Sequence, residues 1–234
     1  DIPVTPDYLV GPGDELLIRA WGQIDVDYSG VVDRNGTISV PKVGVINVSG
    51  LKYQDLSGFL KASFGRNFRN FELTVTLGKL RSVQIFLIGQ AKRPGTYTVS
   101  SLSTLVTALF SMGGPLARGS MRSIQLKRGN KTIVDFDLYD LLIGGDKSKD
   151  VSLLPGDVIY IPPVGPLVAM QGSVNLPAIY ELKRETPLSE IITWAGGLGT
   201  TAQGQNVSVD RIDQRRTRSV EEFSLDPLGL KRNV

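Results

Sequence analysis

Gly89-Gln-Ala-Lys-Arg-Pro-Gly-Thr-Tyr97 returns, thinned, as Gly172-Ser-Val-Asn-Leu-Pro-Ala-Ile-Tyr180. A constant shift of 83 residues carries Gly89 onto Gly172, Pro94 onto Pro177 and Tyr97 onto Tyr180. The same shift sets Leu105 on Leu188, Gly113-Gly114 on Gly196-Gly197 and Arg128 on Arg211, without a gap. Between these anchors apolar meets apolar: Val99 with Leu182, Leu109 with Ile192, Ile124 with Val207. Self-similarity at a fixed spacing means one supersecondary unit used twice. The unit reads strand, proline corner, helix, Gly-Gly stop, hairpin. Proline presets φ at the corner, and tyrosine buries its ring while its hydroxyl finds a partner. Both stay in the second copy, whereas Gly95 becomes Ala178. The corner is therefore read as a device of the fold.

The first copy continues past its hairpin. Ile124 to Lys127 and Thr132 to Phe136 flank Arg128-Gly129-Asn130, and Leu138 to Leu142 reads as a short helix. Leu154-Pro-Gly156-Asp157 and Val158 to Ile161 then close the unit. The second copy reaches Phe223-Ser-Leu and lacks that closing turn and strand, so the natural chain is expected to continue beyond Val234. Upstream, Gly11-Pro-Gly13-Asp14 is a turn before the strand Glu15 to Trp21. Tyr28 to Val32 and Gly36 to Val40 flank Asp33-Arg-Asn-Gly36, an Asn-Gly signal for a hairpin. Leu51, Leu56, Phe59, Leu60 and Phe64 fall near helical spacing, and Phe71, Leu73, Val75 and Leu77 alternate as in a half-buried strand. A second helical stripe runs through Leu102, Leu105, Val106, Leu109 and Phe110. The expected divisions are residues 5–80, 82–163 and 166–234, the last incomplete.

Composition narrows the chemistry. The 234 residues include 26 Gly and 13 Pro, are 41% hydrophobic and carry a net charge of +3. The charges are interspersed, which argues against a dedicated nucleic-acid binder. Neither cysteine nor histidine occurs. Disulfides, thiolate nucleophiles, Ser-His-Asp triads and most zinc sites are thereby excluded from this chain. No catalytic residue, cofactor or metal site is expected. Ala195-Gly-Gly-Leu-Gly-Thr-Thr201 has the glycines of a phosphate cradle, but the helix precedes it and no lysine follows, so it is read as a helix stop. No apolar run reaches the length of a membrane span. The start at Asp1 shows no leader, and a mature or trimmed chain is expected.

The ordered motifs carry a family resemblance. Tyr8-x-Val-Gly-Pro-Gly13-Asp14, Asp33-x-x-Gly36-x-Ile-x-Val-Pro-x-Val-Gly44 and Val48-x-Gly-Leu51 resemble the N-terminal domain of bacterial polysaccharide export proteins. Gly89, Pro94, Tyr97, Gly113, Gly114, Gly156 and Asp157 in the first repeat resemble the SLBB module (soluble-ligand-binding β-grasp). Gly172, Pro177, Tyr180, Gly196 and Gly197 repeat the pattern in the second. The resemblance implies an α+β fold: an export domain followed by two β-grasp-like SLBB modules. It also implies a homo-oligomeric ring in the periplasm of a Gram-negative bacterium, associated with the outer membrane. Capsular or exopolysaccharide would pass through that ring, with inner-membrane co-polymerase components as partners. The alternative is a module that captures a soluble glycan or small molecule. Contacts with polymer or a neighbouring subunit fall to Lys92, Arg93, Arg128, Arg211, Arg215 and Arg216, each also readable as a solvated turn cation. Lys92 and Arg93 become Asn175 and Leu176 in the second copy, so a role for them belongs to the first module alone.

Overall fold

The computed structural model describes residues 4–200, 202, 206–213 and 217–234. The chain divides into two compact units. The first comprises Asp1–Ile85, Thr96–Ala108 and Val151–Asp157, and the second Phe86–Gly95, Leu109–Asp150 and Val158–Val234.

In the first unit, β1 (Glu15–Gly22) lies between β2 (Val26–Val31) and β5 (Phe71–Leu77), both antiparallel to it. A separate hairpin joins β3 (Thr37–Val40) to β4 (Gly44–Asn47). Asp33 to Gly36 is a turn, but it does not close a hairpin between its flanking strands, as the Asn-Gly signal had suggested. It passes the chain from the β1 sheet to the β3–β4 pair. The Asp33 carboxylate explains its shape: it accepts from the Asn35 and Thr37 amides and from the Thr37 hydroxyl. Those bonds hold the Asp33 carboxyl below the usual carboxylate range. Helix α1 (Tyr53–Phe64) buries Leu56, Leu60 and Phe64 at i, i+4 and i+8 against Leu16, Ile18 and Ile38 of this core. Phe59, expected on the same stripe, is 40% exposed.

The first repeat builds a five-stranded sheet in the order β7-β6-β10-β8-β9. Its strands are β6 (Ser82–Gly89), β7 (Gly95–Ser100), β8 (Ile124–Arg128), β9 (Lys131–Phe136) and β10 (Val158–Ile161). The last strand in sequence, β10, inserts in the middle, parallel to β6 and antiparallel to β8. Helix α2 (Leu105–Ser111) buries Leu105, Val106 and Leu109 but leaves Phe110 exposed, and α3 (Leu138–Leu142) follows β9. Gly89 sits at φ +85°, where a Cβ would fall 2.1 Å from the Ile161 carbonyl oxygen. Only glycine fits so close an approach.

The second repeat supplies β11 (Leu167–Met170), β12 (Ala178–Glu181), α4 (Leu188–Trp194), β13 (Asn206–Asp213) and β14 (Thr217–Ser224). Here β11 pairs with β12 and β13 with β14, giving two separate two-stranded sheets. Their core gathers Met170, Tyr180, Leu188, Ile191, Val209 and Phe223.

Candidate functional site

Among the described residues, the cations proposed from sequence stand on different segments of the fold. Lys92 and Arg93 are exposed before β7, and the Lys92 amide donates to the Gly114 carbonyl. That bond ties the corner to the Gly-Gly stop, where Gly113 and Gly114 take φ of +90° and +70°. Arg128 ends β8 opposite Lys131, at the hairpin tip. Arg211 matches it in sequence but not in place. Strand β13 is longer, and Arg211 lies within it opposite Ser219. Its guanidinium pairs with Glu221 at 3.5 Å and donates to the Asn233 carbonyl at 2.7 Å. Arg215 and Arg216 lie outside the described residues.

The sequence-named structural residues fall on turns and corners, except Gly89, Tyr97 and Tyr180, which lie in strands β6, β7 and β12. Tyr180 is buried, and its hydroxyl donates to the Leu176 carbonyl at 2.6 Å, across the Pro177 corner. Tyr97 is half-buried on β7. Gly172 follows β11, and Gly196 and Gly197 follow α4 at positive φ. Gly13-Asp14 and Gly156-Asp157 form one local device twice. Asp14 accepts from the Gly11 amide at 2.9 Å, and Asp157 from the Leu154 amide at 2.8 Å. Both aspartates are fully buried.

Two buried polar nodes organise the units. In the first unit, Asp14 Oδ1 accepts from the Tyr8 hydroxyl at 2.7 Å and from the Arg81 amide at 2.9 Å. Asp14 Oδ2 accepts from the Gly11 amide and from the Arg81 guanidinium. The Tyr8 hydroxyl also meets the Ser101 hydroxyl at 2.9 Å. Burial is the main cause that pushes the Tyr8 phenol up to about 12. Its neutral form is thus favoured by the fold over the unfolded chain, where tyrosine titrates near 10. The stabilisation is complete below about pH 10 and is lost as pH rises towards 12. We expect the urea midpoint of the protein to fall between pH 9 and 11.5. Tyr8→Phe should flatten that fall by about 1–2 kcal/mol, and an unchanged alkaline slope would refute the assignment.

The second node lies wholly in the second unit and joins the two repeats. Arg122, in the loop before β8, is 5% exposed. Its Nε donates to Asp137 Oδ2 at 3.1 Å, and its Nη1 to the Glu181 carbonyl at 3.2 Å. The guanidinium lies over the rings of Tyr139 (4.7 Å) and Trp194 (4.6 Å), which meet edge-on at 5.4 Å between centroids. Glu181 of β12 reaches back across the boundary. Its carboxylate accepts from the Met121 amide at 2.7 Å and the Gly165 amide at 2.9 Å, while its own amide donates to the Tyr139 hydroxyl at 3.0 Å. Burial raises the Tyr139 phenol above its ordinary value. Asp137 also caps α3 through the Tyr139 amide. Farther out, Lys183 pairs with Asp135 at 2.9 Å.

Sequence reasoning missed this node because it sought what recurs. At the shift that aligns the repeats, Arg122 faces Gln205, Glu181 faces Thr98 and Trp194 faces Ser111. The node stands where the copies differ. Among the described residues, every buried side-chain nitrogen or oxygen has a partner. The same residues hold no cluster of three potential metal ligands. Polar groups satisfied in this way rigidify the segments they join.

Comparison with known proteins agrees with this layout. Residues 2–78 match the polysaccharide biosynthesis/export protein family, and residues 84–137 and 167–221 each match the SLBB domain. The polysialic acid transport protein KpsD of Escherichia coli is 29% identical, over 82% of this chain and 35% of its own length. The EPS I polysaccharide export outer membrane protein EpsA of Ralstonia solanacearum is 27% identical, over 88% of this chain and 62% of its own. The capsule polysaccharide export protein BexD of Haemophilus influenzae is 27% identical, over 57% of this chain and 33% of its own. The chain thus spans about a third to three-fifths of the length of these relatives.

Proposed function

Because this chain belongs to the polysaccharide biosynthesis/export protein family, with SLBB domains behind its export domain, we propose that it forms the periplasmic part of a translocon. That translocon carries a capsular or exopolysaccharide to the bacterial surface. The observation that carries the reading is the order of family matches along this chain, export domain and then two SLBB repeats, together with its similarity to relatives named for polysaccharide transport and export.

The role is architectural. A hydrated polymer must slide, so a wall that bound sugar tightly would stall it. Such a wall needs stiff modules with polar, weakly interacting surfaces. The Asp14 and Arg122 nodes support stiffness, since each fixes several backbone segments through one buried charged group. In this reading the full-length protein assembles as a homo-oligomeric ring in the periplasm of a Gram-negative cell, associated with the outer membrane. It meets inner-membrane co-polymerase components at its base. No helix among the described residues is long and apolar enough to cross a membrane. Lys92 and Arg93, exposed on the first module, are proposed to touch the polymer or the neighbouring subunit.

Deleting the gene should abolish surface polysaccharide and leave polymer inside the cell, with rescue by the wild-type gene. Normal surface polysaccharide in the deletion strain overturns the reading. In the same strain, Lys92→Asn with Arg93→Leu should fold as wild type, within about 0.5–1 kcal/mol, as exposed substitutions do. It should lower surface polymer. Full export by the folded double variant removes the two cations from the proposal and leaves the architectural role standing.

A further inference from the structure

The three-stranded sheet of the first unit has a core face and a water face. Alternation along β1 turns Leu16, Ile18 and Ala20 into the core and Leu17, Arg19 and Trp21 outward. The antiparallel register lays that outer face in rungs. Leu17 stands between Ser29 of β2 and Thr76 of β5, Arg19 between Asp27 and Thr74, and Trp21 beside Glu72. All of these residues are exposed.

Trp21 on this face is the feature that needs a reason. It is 46% exposed, whereas the chain's other tryptophan, Trp194, is 9% exposed. A ring of this size forgoes a large hydrophobic gain when it stays in water. None of the ring contacts or cation–π pairs among the described residues includes it. Around it the face is polar and its charges are matched. Arg19 pairs with Asp27, and Glu72 with Lys61 at 3.1 Å. All four of these side chains are more than half exposed. Pairs so exposed add little to stability, so their atoms are open to another partner. With each charge facing its opposite, these rungs show neither sign in excess.

That mixture fits a sugar. A pyranose ring presents C–H groups on its face and hydroxyls around its rim. The C–H face covers an aromatic ring, and the hydroxyls donate to carboxylates and accept from guanidinium and hydroxyl groups. A protein partner matches less well. Charge is depleted at the core of a protein interface, and here Arg19 and Glu72 are the indole's neighbours along and across the strands. We propose that the outer face of the β2-β1-β5 sheet is a contact site for the sugar chain. Trp21 stacks on a pyranose ring, and Arg19, Asp27, Thr74 and Glu72 meet its hydroxyls. The proposal rests on the export reading above and gives the polymer a place on the export domain. From Leu17 to Trp21 the strand runs about 13–14 Å, longer than a single sugar ring. An open face encloses little of its ligand, so the contact is weak and exchanges fast, as a sliding chain requires. Because its charges are matched, the contact is insensitive to salt.

The test follows the two tryptophan indole N–H signals by NMR while the protein is titrated with maltohexaose, a neutral probe. The Trp21 signal should move and saturate, equally at low and high salt, while the Trp194 signal stays. Trp21→Ala should keep the urea midpoint and raise the Kd roughly tenfold, followed through the Arg19 and Thr74 amides. Arg19→Gln leaves the indole in place and should raise the Kd about threefold. A motionless Trp21 signal overturns the proposal. So does movement at low salt only, which marks a charge contact. Movement on raising the protein concentration without sugar assigns the face to a second copy and likewise overturns it. In the deletion strain, folded Trp21→Ala should restore less surface polymer than wild type. Full export by that variant overturns this site and leaves the translocon reading standing. Normal surface polymer in the deletion strain itself overturns the translocon reading, whatever the titration shows.

Discussion

Methionine in place of Arg122 is expected to lower the unfolding free energy of the second unit by about 3–5 kcal/mol, the usual cost of breaking a buried ion pair from one side. Arg122 and Asp137 side chains are only 7% and 6% exposed. Methionine keeps much of the volume and can pack its thioether on Tyr139 and Trp194. It returns nothing to Asp137 or to the Glu181 carbonyl. Adding Asp137→Asn should recover part of the loss, because the second charge is then no longer stranded and asparagine still caps α3. Trp194 fluorescence during urea unfolding, in a Trp21→Phe background, reads this unit alone. A loss below about 1 kcal/mol, or a double variant as weak as the sum of the singles, would show that the node does not act as a coupled group.

Asp14→Ala should cost the first unit about 3–5 kcal/mol as well, for a different reason. One fully buried carboxylate satisfies four donors: two backbone amides, a phenol and a guanidinium. Alanine strands the Gly11 and Arg81 amides together and leaves the Tyr8 hydroxyl to Ser101 and Arg81. Asp14→Asn keeps the size but turns one acceptor into a donor aimed at other donors, so it should cost about half as much. Thermal and urea unfolding of both variants, with protease cleavage near residues 8–14 as a local probe, would measure this. A stability within 0.5 kcal/mol of wild type would mean that the turn holds its shape without the carboxylate.

Much of this was legible in the sequence. The repeat gave the corner, helix, Gly-Gly stop and hairpin of both modules, because turn chemistry and apolar period act over a few residues. It failed where local signals were ambiguous. The Asn-Gly at residues 35–36 promised a hairpin, and Asp33 made the turn, but pairing was decided elsewhere: β2 found β1 and β3 found β4. Phe59 and Phe110 fit their stripes by spacing, yet helix packing turned both outward. Arg128 and Arg211 share an alignment position, but a longer β13 moved the second away from its hairpin tip.

By itself the sequence determined that one unit is used twice and that histidine and cysteine chemistry is absent, which follow from spacing and composition. The α+β class and the order of export domain and two SLBB repeats came from the resemblance of its ordered motifs to a family. Only the tertiary structure decided that Arg122 meets Asp137, Glu181 and Trp194, and that β11 and β13 line one groove. Those facts depend on which distant segments pack together. A buried charge is tolerated only where packing brings it partners, and no spacing along the chain records that choice.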